Sequence, residues 1–166
     1  MTNRKKKPAP PSKAELRDAL ARIVEADLLT AERAQKAAAE GATDEEAKPE
    51  NDKDTRALEQ SYLARGQAQR VDELRTALGL VRSMPTRDFG DDAPIALGAL
   101  VSASVDDAER SYFIAPGGGG AELEGGVQVV TPGSPLGRAL LGRREGDETE
   151  LGAGGRTRLI EITRVR

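Results

Sequence analysis

The sequence predicts an α+β protein: an N-terminal antiparallel two-helix coiled coil, followed by a small antiparallel sheet domain that carries one short helix. Three observations lead there. Apolar residues recur at three- and four-residue spacing through two long stretches that end near residue 83. Beyond residue 84 that period gives way to short β-branched runs bounded by Gly, Pro and Asp. Between the two helical stretches, residues 41–55 read GATDEEAKPENDKDT, with six carboxylates, two lysines and one proline.

A chain of 166 residues has room for one ordinary domain or two small ones. Apolar residues make up 37%, with two Phe, two Tyr and no Trp, so a long thin helical part plus one compact small domain fits better than a large aromatic core. A formal net charge of −3 argues against attraction of the whole surface to nucleic acid or membrane. The chain has no Cys and no His, which excludes disulfides, zinc fingers, HExxH metal sites and the usual Ser or Cys triads. Any chemistry must rest on carboxylates, Lys, Arg, Tyr or a borrowed metal. No run approaches the roughly 20 apolar residues that span a bilayer, and no secretory signal is legible. The expectation is a soluble, cytoplasmic monomer with no membrane partner.

Residues 1–11, MTNRKKKPAPP, are basic and then proline-rich, and read as a disordered arm. Ser12 opens a capping box: its side chain can cap the helix while Glu15, three residues on, reaches back. Leu16, Leu20, Ile23, Val24, Leu28, Ala31, Ala34 and Ala38 then trace one amphipathic stripe, with Gly41 as the expected stop near Glu40. A second helix is expected from Asn51, a good cap, through Leu58, Tyr62, Ala64, Val71, Leu74, Leu78 and Val81, and closes before Pro85. Val71, Leu74, Leu78 and Val81 alternate at three and four, the spacing of a coiled-coil seam. Two helices of near-equal length joined by a short turn run antiparallel, each roughly 40 Å long. Residues 12–83 thus form a coiled-coil domain whose far end is an acidic tip at 41–54.

Residues 84–166 form the second domain. Strands are expected within 95–105, 110–115, 127–130 and 156–165, with a further strand after the helix. The segment SPLGRALLG supplies the short helix, with Ser134 as its cap, Pro135 at its first position, and Leu136, Leu140 and Leu141 on one side. The glycine-rich PGGGGAELEGG lacks a phosphate-loop pattern and is expected to be a flexible surface loop.

The run VTPGSPLGRALLGRREGDETEL, followed by GGRTRLIEITRV, resembles the C-terminal domain of the bacterial Gre transcript-cleavage factors, and SYFIAPGGGG sits where that family has a strand and loop. The resemblance implies an FKBP-like fold for residues 84–166 and a docking role on RNA polymerase. Isomerase activity is not expected, because Phe89, Tyr112 and Phe113 are too few to line a proline pocket. It also implies that the coiled coil enters the polymerase secondary channel, where acidic tip residues help hold a second Mg²⁺ and position a water that attacks the 3′-end RNA of a backtracked complex. The protein would stimulate the polymerase's own nuclease rather than be an enzyme. Mg²⁺ keeps several waters, so one or two carboxylates brought to a metal-bearing site suffice.

The carboxylates nominated for this role, as metal and water ligands, are Asp52 and Asp54 with Glu50, then Glu46 and Asp44. Glu50 and Asp54, at i,i+4, would share a helix face, whereas Asn51 and Asp54 also read as a helix cap and its partner. The family's tip places a carboxylate where Lys53 stands, so a Gre-like regulator that enters the channel without cutting is the alternative. Arg138, Arg143 and Arg144, or Arg56, Arg65 and Arg70 on the second helix, are the candidates for holding RNA; helical arginines also pair with Glu at i,i+4.

Overall fold

The computed structural model describes residues 11–43, 55–90 and 92–166. They form two compact units, one of residues 21–83 and the other of residues 84–166 together with the chain up to Leu20.

Helix α1 runs Lys13–Thr43 and α2 runs Thr55–Ser83. The capping box forms as its sequence requires: the Ser12 backbone N–H donates to Glu15 Oε2 at 2.8 Å, and the Glu15 N–H donates to Ser12 Oγ at 3.2 Å. Gly41 does not end α1, which continues to Thr43. A single glycine costs a helix only about 1 kcal/mol relative to alanine, which neighbouring turns can offset. The expected start of α2 at Asn51 lies outside the described residues.

Two ion pairs fix how α1 and α2 meet in the unit of residues 21–83. Arg82 reaches Glu25 and Arg75 reaches Glu32, each at 2.9 Å. One helix advances seven residues while the other retreats seven, so the pair is antiparallel in heptad register. Val24, Leu28, Ala31, Val71, Leu74, Leu78 and Val81 are all buried. Leu58 and Tyr62, expected in the same stripe, are 54% and 63% exposed. At 100° per residue, both lie on the side of α2 opposite Val71, Leu74 and Leu78. Continuing the buried positions backward along the helix leads instead to Gln67, Ala64 and Gln60, each half-buried. Ala34 is likewise exposed and Ala38 half-buried.

The second unit is built on a six-stranded sheet with the order β3-β4-β2-β1-β6-β5. Its strands are β1 Leu100–Val105, β2 Ala108–Ile114, β3 Glu122–Leu123, β4 Val127–Val130, β5 Glu148–Ala153 and β6 Arg156–Val165. Helix α3, Pro135–Leu140, follows β4. The sheet is mixed rather than antiparallel, because β2 and β4 pair in parallel, with Ser111 opposite Val127 and Ile114 opposite Val130. A parallel pair needs a connection of a dozen or more residues, and residues 115–126 supply it. The glycine-rich stretch is therefore not simply a surface loop: it contains β3, which pairs with β4 and buries Leu123.

The core lies on the α3 side of the sheet. Val101, Ala103, Val105, Tyr112, Ile114, Val130, Ile160 and Ile162 pack there with Ile95, Ala99 and Leu140, and Leu136 and Leu141 border the cluster. The opposite register positions, Leu100, Phe113, Val127 and Val129, are also buried, so this part of the sheet is covered on both faces. The β1–β2 turn is an Asp106–Asp107 pair with φ of 50° and 63°. Both central residues of such a two-residue hairpin turn lie in the left-handed region, where glycine or asparagine is the easier occupant.

Candidate functional site

Asp44, Glu46, Glu50, Asp52 and Asp54, together with Lys53 and Asn51, lie outside the described residues. The structure describes the stem that leads to them, α1 up to Thr43 and α2 from Thr55. Among the described residues no group of three or more acidic side chains is placed to hold a metal ion.

The expected RNA-binding arginines separate into tethered and available side chains. Arg138 donates to the backbone oxygen of Gly133. Arg144 donates to the Asp92 backbone oxygen, pairs with the Asp92 carboxylate at 3.3 Å, and its backbone N–H donates to the Asp147 carboxylate at 2.8 Å. These two brace the turns on either side of α3. Arg143 is exposed and has no ion-pair partner among the described residues, and the same holds for Arg65 on α2. Arg70 stands 3.9 Å from Glu73, one helical turn on.

The short helix is set by local chemistry that the sequence displays. Ser134 Oγ accepts the Gly137 N–H at 3.0 Å, and Pro135 occupies the first turn, where a missing N–H costs nothing. Gly137 is required by contact: a Cβ there would stand 2.0 Å from the Thr131 carbonyl oxygen. This close approach seats α3 against the end of β4 and opens a groove of about 610 Å³ lined by Val130, Thr131, Ser134, Pro135, Leu136 and Leu151, among others. No aromatic side chain lines it.

A second, polar recess of about 270 Å³ shares Gly120 and Gln128 with that groove and adds Arg110, Tyr112 and Glu122. Burial pushes the Tyr112 phenol above its ordinary value, while Arg110 and Arg158 pull it back. Sequence reading missed this recess. Its residues come from β2, β3 and β4, and only the parallel pairing brings them together.

One buried charge stands apart. Lys13 in the first turn of α1 is 6% exposed, its Nζ lies 4.6 Å from the centroid of the Phe89 ring, and it has no hydrogen-bond partner among the described residues. Burial lowers its pKa, Asp88 raises it, and Arg166 and Arg87 lower it further. The ring supplies a cation–π contact in place of the lost water.

Residues 91–166, which contain the whole sheet and α3, match the family model described as transcription elongation factor, GreA/GreB, C-term. This part of the chain is similar to the Gre family's C-terminal domain. The chain is also similar to the transcription elongation factor GreA of Rhodospirillum rubrum, 34% identical over 73 residues. That alignment covers 43% of this chain and 45% of the relative, so the chain spans less than half the length of the Gre protein it matches. Solved structures that resemble the chain include Gfh1 of Thermus thermophilus, at 20% identity over 93% of this chain and 94% of that one, with a TM-score of 0.39. Gfh1 of Thermus aquaticus aligns at 18% identity over 90% and 95%, with a TM-score of 0.41. The GreA/GreB factor of Nitrosomonas europaea aligns at 20% over 55% and 78%, with a TM-score of 0.36. Likeness at this level carries no conclusion about function.

Proposed function

We propose that this protein is a transcription elongation factor that binds bacterial RNA polymerase through its Gre-family domain and sends its helical hairpin into the secondary channel. There, Asp52, Asp54 and Glu50, with Glu46 and Asp44 behind them, help the polymerase hold a second Mg²⁺ and stimulate cleavage of backtracked RNA. The observation that carries this reading is the Gre-family match over residues 91–166 in a chain whose first part is a long antiparallel helix pair leading to six carboxylates. Two metal ions about 3.5–4 Å apart stabilise both the attacking and the leaving oxygen of a phosphodiester. The factor's share is then one or two carboxylates, which a chain without His or Cys can supply.

The test is to add the protein and Mg²⁺ to stalled, backtracked elongation complexes. Shortened 3′ RNA fragments are the expected product, and D52N/D54N abolishes them while polymerase binding persists. A second reading is favoured by Lys53, a cation amid the nominated ligands: a channel-binding regulator that does not cut. Saturating polymerase binding with no fragments at any Mg²⁺ concentration would establish that reading in place of the first.

A further inference from the structure

The polar recess beside β4 is lined by side chains for which the proposed function has no use. In the register of the sheet, Glu122, Gln128 and Tyr112 form one row across β3, β4 and β2. Arg110 stands two residues from Tyr112 and so on the same face. Tyr112 is only 6% exposed, yet its hydroxyl has no hydrogen-bond partner among the described residues. A buried phenol ordinarily finds such a partner, because burial removes the water it would otherwise bond. Arg110 and Glu122 line the same recess and are both exposed, and neither forms an ion pair among the described residues. They stand on the strands either side of β4, two strand spacings or about 10 Å apart at the backbone. Arg110 and Arg158 both act on the phenol, so the Tyr112 end of the recess favours negative charge. Arg158 is paired with Asp106 at 3.5 Å, which leaves Arg110 as the uncommitted cation there among the described residues.

We propose that this recess and the apolar groove adjoining it bind an apolar α-amino acid: its carboxylate on Arg110 and the Tyr112 hydroxyl, its ammonium on Glu122, its side chain in the groove. The two hollows share Gly120 and Gln128. From Gln128 the same face of β4 leads one way to Val130, where Pro135, Leu136 and Leu151 also line the groove. Because β2 runs parallel to β4, Arg110 lies the other way. Charged groups therefore gather at one end and apolar groups at the other. A simple anion would be repelled by Glu122 and a simple cation by Arg110, whereas a zwitterion satisfies both. A carboxylate accepting from a guanidinium and a phenol makes charge-assisted hydrogen bonds, the stronger kind. The recess, at about 270 Å³, is smaller than the roughly 300–1,000 Å³ of sites for drug-sized ligands, which suits the head of an amino acid. This site shares no residue with the acidic bend and does not depend on the polymerase reading.

Titration of the ¹⁵N-labelled full chain with L-leucine, N-acetyl-L-leucine, L-leucinamide and free glycine, followed by amide NMR shifts, reads each contact separately. L-Leucine is expected to saturate a single site and to shift amides in residues 110–112, 120–122 and 128–130. The other three lack the ammonium, the carboxylate and the side chain respectively, and each should bind at least about tenfold more weakly. R110Q and Y112F should weaken L-leucine by a similar factor. E122Q should weaken L-leucine but leave N-acetyl-L-leucine unaffected. R110Q and E122Q alter exposed positions, so they carry the test whatever Y112F does to the core. The proposal is overturned if L-leucine produces no shifts in these residues up to its solubility, if N-acetyl-L-leucine or L-leucinamide binds as well as L-leucine, or if R110Q and E122Q leave its affinity unchanged.

Discussion

The two halves of the helix pair in residues 21–83 share a register but not a chemistry. In the half nearer Ser83, the facing positions are Val24, Leu28, Val71, Leu74, Leu78 and Val81, all buried. In the half nearer the bend they are Gln35, Ala38, Gln60, Ala64 and Gln67, all half-buried, and the Gln60 Oε1 is enclosed without a hydrogen-bond partner among the described residues. Burying a leucine-sized side chain contributes about 1.5–3 kcal/mol, whereas an enclosed amide oxygen left unbonded costs about 1–3 kcal/mol. The first half holds the pair together; the second is only weakly cohesive. Local opening free energy should therefore fall along the pair toward the bend.

The largest expected effect tests the cohesive half. Leu78→Ala should destabilise the protein by about 2–4 kcal/mol, read as a shift of the urea midpoint. A loss below 1 kcal/mol would mean that the seam is not where the stability resides. The weak half should respond in the opposite direction. Gln60→Leu removes the unbonded oxygen and adds apolar area, so a gain of about 1–2 kcal/mol is expected, with slower amide hydrogen exchange in residues 58–67. Unchanged or faster exchange would show that the amide finds a partner in solution.

At the start of α1, Ser12→Ala should cost about 1 kcal/mol by removing the cap. The same cap gives a pH signature. Hydrogen bonds from the Ser12 backbone and side chain hold the Glu15 carboxyl below its ordinary range. Its contribution is therefore complete above the unfolded-state pKa and is lost as pH falls through the lower folded value. A chemical-denaturation series below pH 5 should show that slope in the parent and lose part of it in Ser12→Ala. The smallest effect is expected on the outer face of α2: Tyr62→Ser should change stability by no more than about 0.5 kcal/mol. A larger loss would mean that the outer stripe of Leu58 and Tyr62 is packed, and the contrast between the halves would have to be redrawn.

How much of this was legible follows the range of the interactions. The capping box at Ser12 and Glu15, the Ser134 cap and Pro135 all act within four residues, and all stand as the sequence spells them. Val71, Leu74, Leu78 and Val81 were legible as a seam because four apolar residues in alternating spacing define a helix face without further help. Leu58 and Tyr62 were misassigned because apolar identity outweighed angular position; extending the heptad from Leu74 leads to Gln67 and Gln60. The nominated carboxylates were legible only as a cluster, since like charges without a fixed partner carry no geometry of their own.

By itself, then, the sequence determined the helical and strand periods, the caps and the likeness of the C-terminal part of the chain to the Gre family. Each of these is written in short-range spacing or in a contiguous motif. Only the tertiary structure decided that β4 lies parallel to β2, that the glycine-rich stretch contributes an edge strand, and that Arg138 and Arg144 are tethered while Arg143 is not. Those outcomes depend on where the chain returns in space. Strand pairing and ion pairing between residues far apart in sequence are chosen by the packed whole, and no local pattern of residues encodes them.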